Sequence, residues 1–165
     1  MRKSIYQLSS AFVFILTLCH GEKEWDSFVL SLTWPVTLCK FSKLYNKDHP
    51  KCVVPAMMWE IHGLWPSFSS GGRSPEKCKI SHKFRKEEIK GILSKLEKYW
   101  PDQLPGKNKY QFWEHEWEKH GRCATVVKAT GSELKYFNRT IALRQQFDVD
   151  RMLSSAGVKP GKSYK

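Results

Sequence analysis

Acid is what this 165-residue chain is short of: 16 aspartates and glutamates stand against 28 lysines and arginines, for a formal net charge of +12. Such an excess points away from basic partners and toward polyanions such as RNA, DNA, heparin-like glycans or anionic lipid. The basic residues are spread along the chain, which argues against a disordered basic tail. Internal repeats and low-complexity tracts are missing, so solenoids and biased linkers are excluded. No Cys-x-x-Cys pair is present, which argues against a structural zinc site. No Gly-x-Ser-x-Gly elbow is present, which argues against a serine hydrolase. A zincin helix needs His-Glu-x-x-His, but here Lys119 stands four residues after His115 and His120 stands five after it. Ligands five apart diverge by about 140° on a helix, at about 100° per residue.

A membrane-spanning run is lacking too. The apolar stretch Ala11 to Cys19 is too short to cross a bilayer. Arg2 and Lys3 precede it, and Cys19 and Gly21 suit the −3 and −1 positions of a cleavage site, so residues 1–21 read as a secretory leader cut after Gly21. The remaining 22–165 form one domain, and a 41% hydrophobic chain can build its core. Cleavage removes Cys19 and leaves Cys39, Cys52, Cys78 and Cys123. An even number in an oxidising compartment reads as two disulfides, with three pairings open. Asn138-Arg139-Thr140 is a glycosylation sequon, consistent with secretion.

Phe28, Leu30, Leu32 and Trp34 alternate with smaller residues, a period of two that predicts a strand ended by Pro35. Residues 39–56 carry Asn46, Asp48, Pro50 and Pro55 and read as a loop. Met57 to His62 reads as a second strand, with Glu60 and His62 on one face. Ser67 to Pro75 reads as a surface loop. Ile89, Ile92, Leu93, Leu96 and Trp100 predict an amphipathic helix stopped by Pro101. A further helix is expected from Phe112 to Gly121, another capped by Ser132, and a last one near Asp148 to Ala156 stopped by Gly157.

Two short segments concentrate the chemistry: Trp59-Glu60-Ile61-His62-Gly63-Leu64-Trp65-Pro66, and Phe112-Trp113-Glu114-His115-Glu116-Trp117-Glu118-Lys119-His120-Gly121. On a helix Glu116 and His120 share a face, and His115 and Lys119 share the adjacent one. If the strand bearing His62 faces that arc, two imidazoles flank one phosphate. One can take the 2′-hydroxyl proton of RNA while the other protonates the departing 5′-oxygen. That chemistry requires no metal and no other cofactor. Taken singly, His62 reads as a satisfied core histidine, Trp113 and Trp117 as core, and the glutamates as a solvated face. Their co-occurrence in one small basic chain favours catalysis.

His62-Gly63-Leu64-Trp65-Pro66 and His115-Glu116-Trp117-Glu118-Lys119-His120-Gly121-Arg122-Cys123 resemble the two active-site signatures of the ribonuclease T2 family, secreted and lysosomal acid endoribonucleases, and look closest to its animal branch. The resemblance implies an α+β fold, an antiparallel sheet with flanking helices. It implies His62, Glu116 and His120 as catalytic residues, with His120 the general base and His62 the general acid. It places Lys119 on transition-state charge, His115 on phosphate and Trp65 beside a base. It implies disulfides Cys39–Cys52 and Cys78–Cys123, single-stranded RNA as substrate, and a soluble monomer, secreted or lysosomal. The family's pattern carries Gln where Leu32 stands and Asp where Ser67 stands, which leaves base preference open. The pattern also continues past this chain, so the domain is expected to be C-terminally incomplete. The alternative is an inactive secreted glycoprotein that binds polyanions or a cell-surface partner.

Overall fold

The computed structural model describes residues 25–45, 52, 57–79, 82–106 and 108–159. The expected leader and its cleavage point lie outside the described residues, as do Asn46, Asp48, Pro50 and Pro55.

The alternating segment forms β1 (Ser27–Thr33). Pro35 does more than end it. Its fixed φ also opens a helix, α1 (Pro35–Tyr45), so residues 39–45 of the expected loop are helical instead. The helical period was hidden because its buried positions, Pro35, Cys39 and Ser42, are not large apolar side chains. Cys39 on this helix is joined to Cys52.

The second strand, β2 (Glu60–Ser67), starts later than expected and runs through the whole His-Gly-Leu-Trp-Pro motif. It pairs antiparallel with β1, and the register breaks once: Ser31 faces Gly63 but Leu32 faces Ile61, leaving His62 as an extra residue. This is a β-bulge. Strict alternation would put residues 61 and 64 on opposite faces, and 62 and 65 likewise. The bulge slips the phase by one. Ile61 and Leu64 therefore both enter the core, at 2% and 1% exposure, while the His62 and Trp65 rings lie 5.6 Å apart, centre to centre.

A two-stranded sheet is marginal alone and needs a packed face. Helices supply it. A 3₁₀ turn (Lys90–Ile92) leads into α2 (Leu93–Tyr99), burying Ile89, Ile92, Leu96 and Trp100 as their spacing predicts. The aromatic segment begins as α3 (Gln111–Glu116), widens into a π-helical turn (Trp117–Gly121) and continues as α4 (Arg122–Ala124). Gly121 does not end the helix as expected. It is glycine because a Cβ there would strike the Trp117 and Tyr136 rings. Next, α5 (Glu133–Gln146) is capped by the Ser132 hydroxyl, which accepts from the Lys135 N–H. The short α6 (Val149–Ser155) is capped by Asp148 and followed by Gly157 at φ +78°.

Side chains close the edge of β2 that β1 leaves open. Trp100 Nε1 donates to the His62 carbonyl and Tyr136 Oη to the Leu64 carbonyl, both at 2.9 Å. Trp113 Nε1 in turn donates to the Trp100 carbonyl at 2.8 Å. The buried aromatics thus satisfy their own polar atoms and the strand's together.

Candidate active site

His62 sits at the bulge with its side chain 43% exposed. Thr33 Oγ1 lies 3.3 Å from its Nδ1, and Nε2 points toward Glu116 Oε1 at 3.8 Å. The Phe112 ring stands edge-on to the imidazole at 5.5 Å. One nitrogen is thus held by β1 and the other faces the carboxylate on α3.

Glu116 is 1% exposed. Its Oε2 accepts from Trp65 Nε1 at 3.0 Å. Burial pushes its carboxyl up to about 7, while the Trp65 hydrogen bond and the Lys119 charge pull the other way. Gly63 is required at this point. A Cβ would drive into the Trp65 indole nitrogen and Glu116 Oε2 together.

His120 comes from the π-turn and is 4% exposed. Its ring lies 5.2 Å from Trp65, inclined at 32°. Trp65 therefore contacts both imidazoles and anchors the carboxylate, a role the motif does not advertise. Burial pushes His120 down to about 4, helped by the charges of Lys119, His115 and His62 and opposed by Glu76. His62 is lowered as well, first by burial and then by His115 and Lys119. His120 Nδ1 is buried without a hydrogen-bond partner among the described residues, which disfavours a charged ring.

The π-turn matters to this grouping. It replaces i→i+4 closure with a wider i→i+5 turn, a deviation frequent at functional sites. Trp117 still packs in the core, its indole donating to the His82 carbonyl at 3.1 Å, while Lys119 and His120 reach the site. Lys119 Nζ lies 3.4 Å from Glu76 Oε1.

His115 is exposed and lines a cavity of about 400 Å³ with His62, Phe112, Glu60 and Gln103. There Gln103 Nε2 donates to Glu60 Oε2 at 2.7 Å, and Gln103 Oε1 is buried without a partner among the described residues. Burial lifts the Glu60 carboxyl to about 7, against the Gln103 hydrogen bond. All six residues read as functional from sequence thus converge on one region. Thr33 and Gln103 lie outside both motifs, and Glu60 and Phe112 stand inside them without a role the spacing assigns. Leu32 pairs with Ile61 across the bulge. Ser67 ends β2, its hydroxyl on the Trp65 carbonyl at 3.2 Å.

The second disulfide, Cys78–Cys123, ties the loop after β2 to α4, the pairing that the resemblance implies. Asn138 is exposed on α5. Among the described residues no helix is long and apolar enough to cross a membrane.

Comparison with known proteins agrees with this arrangement. Ribonuclease Oy of Magallana gigas is 37% identical over 143 residues, covering 86% of this chain and 64% of that protein. Human ribonuclease T2 is 40% identical over 142 residues, covering 86% of this chain and 51% of its own length. The chain thus spans between half and two thirds of these curated relatives. The crystal structure of human RNase T2 superposes with a TM-score of 0.71 at 38% identity, over 86% of this chain and 66% of that one. An RNase MC1 variant in complex with 5′-GMP gives 0.72 at 31% identity, over 86% and 69%. The sequence pattern of the Ribonuclease T2 family matches residues 25–165, and with the two motif-bearing segments meeting in that fold, the chain belongs to the ribonuclease T2 family.

Proposed function

We propose that this chain is an endoribonuclease that cleaves single-stranded RNA by metal-free acid–base transphosphorylation. The observation that supports the reading is the grouping of His62, His120 and Glu116 around the Trp65 ring, with the Lys119 charge acting on Glu116 and His120. His120, held neutral by burial, removes the 2′-hydroxyl proton. The 2′-oxygen attacks phosphorus, and the bond from phosphorus to the 5′-oxygen breaks. His62 gives that leaving oxygen its proton. The products are a 2′,3′-cyclic phosphate and a 5′-hydroxyl end, and water opens the cyclic ester in a slower second step. Lys119 offsets charge on the pentacoordinate phosphorane, Glu116 lies hydrogen-bonded near the phosphate, and His115 helps hold it. Trp65 borders the base, since stacking surfaces accept single strands with little regard to sequence.

The remaining roles follow the same reading. Residues 22–165 form the ribonuclease domain, which acts as a monomer. The exposed Asn138 carries a glycan. The chain is secreted or lysosomal, which two disulfides favour.

The test is cleavage of single-stranded RNA at mildly acidic pH with EDTA present, beside His62→Ala and His120→Ala. Each substitution should lower kcat by about 10²- to 10⁴-fold, as expected for loss of a general acid or base. DNA, which lacks the 2′-hydroxyl, should be left intact. Inhibition by EDTA, or cleavage of DNA, would overturn the metal-free mechanism. A folded chain that binds RNA without cutting it would favour the polyanion-binding alternative.

A further inference from the structure

Lys119 belongs to the part-exposed rim of the site, at 33% side-chain exposure. A flexible four-carbon stem at such a position has many places to go, and a charge that wanders cannot meet a phosphorane at a fixed point. Here it does not wander. Three successive residues of the loop after β2 are fastened to the turn that bears it. The Glu76 carboxylate lies 3.4 Å from Lys119 Nζ. The Lys77 N–H donates to the Lys119 carbonyl at 2.8 Å. Cys78 is joined to Cys123 and points its own N–H at the Cys123 sulfur, 3.3 Å away.

The middle residue of the three carries a conformational cost. Lys77 sits at φ +54°, the one positive-φ non-glycine position among the described residues. A non-glycine side chain in the left-handed region is strained and persists where surrounding contacts over-determine it. The contacts on either side of Lys77 run to the π-turn and to α4, which follows it directly. They tie Glu76 and Lys119 into one register.

We infer that Glu76 is a positioning residue for RNA cleavage, its carboxylate holding the Lys119 ammonium against the catalytic turn while the Lys77 main chain fixes the loop beneath it. The inference rests on the reading of Lys119 as the group that meets transition-state charge. Its consequence reaches His120, the neighbour of Lys119. The groups acting on His120 are Lys119 beside it, Glu76 on the loop, His115 on α3 and His62 on β2; among them only Glu76 favours the charged ring. Glu76 thus balances part of the field that the cations impose on the proposed base.

The experiment is Glu76→Gln, made alone and in a Lys119→Ala background, with Glu87→Gln as an exposed carboxylate control. Glu76→Gln alone should lower kcat roughly fivefold, the scale of a part-exposed ion pair, with KM little changed. It should add almost nothing once Lys119 is alanine, since residues acting through one another are not additive. Glu76→Asp should recover part of the loss. By NMR, His120 should titrate at lower pH in Glu76→Gln than in the parent and stay in place in Glu87→Gln. Equal losses in both backgrounds, or an unmoved His120, would overturn the inference. If the parent chain cleaves no RNA, the functional reading fails, and the His120 titration alone decides whether Glu76 governs the charge at this turn.

Discussion

The indole N–H of Trp100 lies 2.9 Å from the main-chain oxygen of His62. The strand that carries one proposed catalytic imidazole is thus held from behind by the end of α2, and Trp113 holds Trp100 in turn. Positioning of His62 is therefore a property of the core. Trp100→Phe keeps most of the ring and removes the donor. It should cost about 1–3 kcal/mol, the penalty of a buried carbonyl left unpaired, and lower kcat although residue 100 touches no substrate. Chemical denaturation and steady-state cleavage measure the two effects side by side.

The two histidines set opposite limbs of the rate profile. His120 must be neutral to accept a proton, so activity should rise as pH climbs through about 4. His62 must be protonated to donate one, and its value lies below the ordinary 6.5, so activity should fall again before neutrality. The profile of kcat/KM is therefore a bell with an acidic optimum. A maximum above about pH 7 would contradict the assignment.

Gly63→Ala tests the close approach at the centre of the site. One methyl would push between the Trp65 indole nitrogen and Glu116. Overpacking of this kind costs about 1–3 kcal/mol. Here it also breaks the hydrogen bond that aims the carboxylate. The expected result is a folded chain with a lower melting temperature and cleavage reduced more than tenfold, a loss of roughly 1.4 kcal/mol or more in transition-state stabilisation.

Glu60 offers a stability test independent of catalysis. Its carboxyl is lifted from 4.5 to about 7 by burial. The folded state therefore holds this proton more tightly than the unfolded chain does. The associated stability is intact below pH 4.5 and is lost as pH rises toward 7. Glu60→Gln can still accept from Gln103. It should leave the thermal midpoint almost unchanged near pH 4.5 and raise it at about pH 8. A drop at the higher pH would show that the ionised carboxylate is needed there.

Much of this was legible in the sequence, for physical reasons that differ from element to element. Ile89, Ile92, Leu96 and Trp100 announce their helix because a single buried face repeats in large apolar residues. Ser132 and Asp148 announce helix starts because their side chains accept the first N–H groups. Pro35 reads only as a stop, since a residue that ends a strand and opens a helix looks the same from either side. The π-turn leaves no mark in the spacing, although Gly121 within it is where the Trp117 and Tyr136 rings close in. The proposed catalytic groups are plain in the motifs, yet their fixings, Thr33, Trp100 and Glu76, come from distant parts of the chain that only the fold brings together.

The irregularity at His62 turns catalysis into a matter of counting. Between Ser31 and Gly63 the two strands differ by one residue, and that surplus residue is the proposed acid. Deleting it would leave a regular antiparallel pairing that keeps Ile61 and Leu64 on one side but carries no imidazole at that point. Inserting one residue within 60–63 would reset which side chains look outward, whereas deleting His62 keeps the phase and removes only the proposed acid. Both changes should abolish cleavage, and the insertion should cost stability as well.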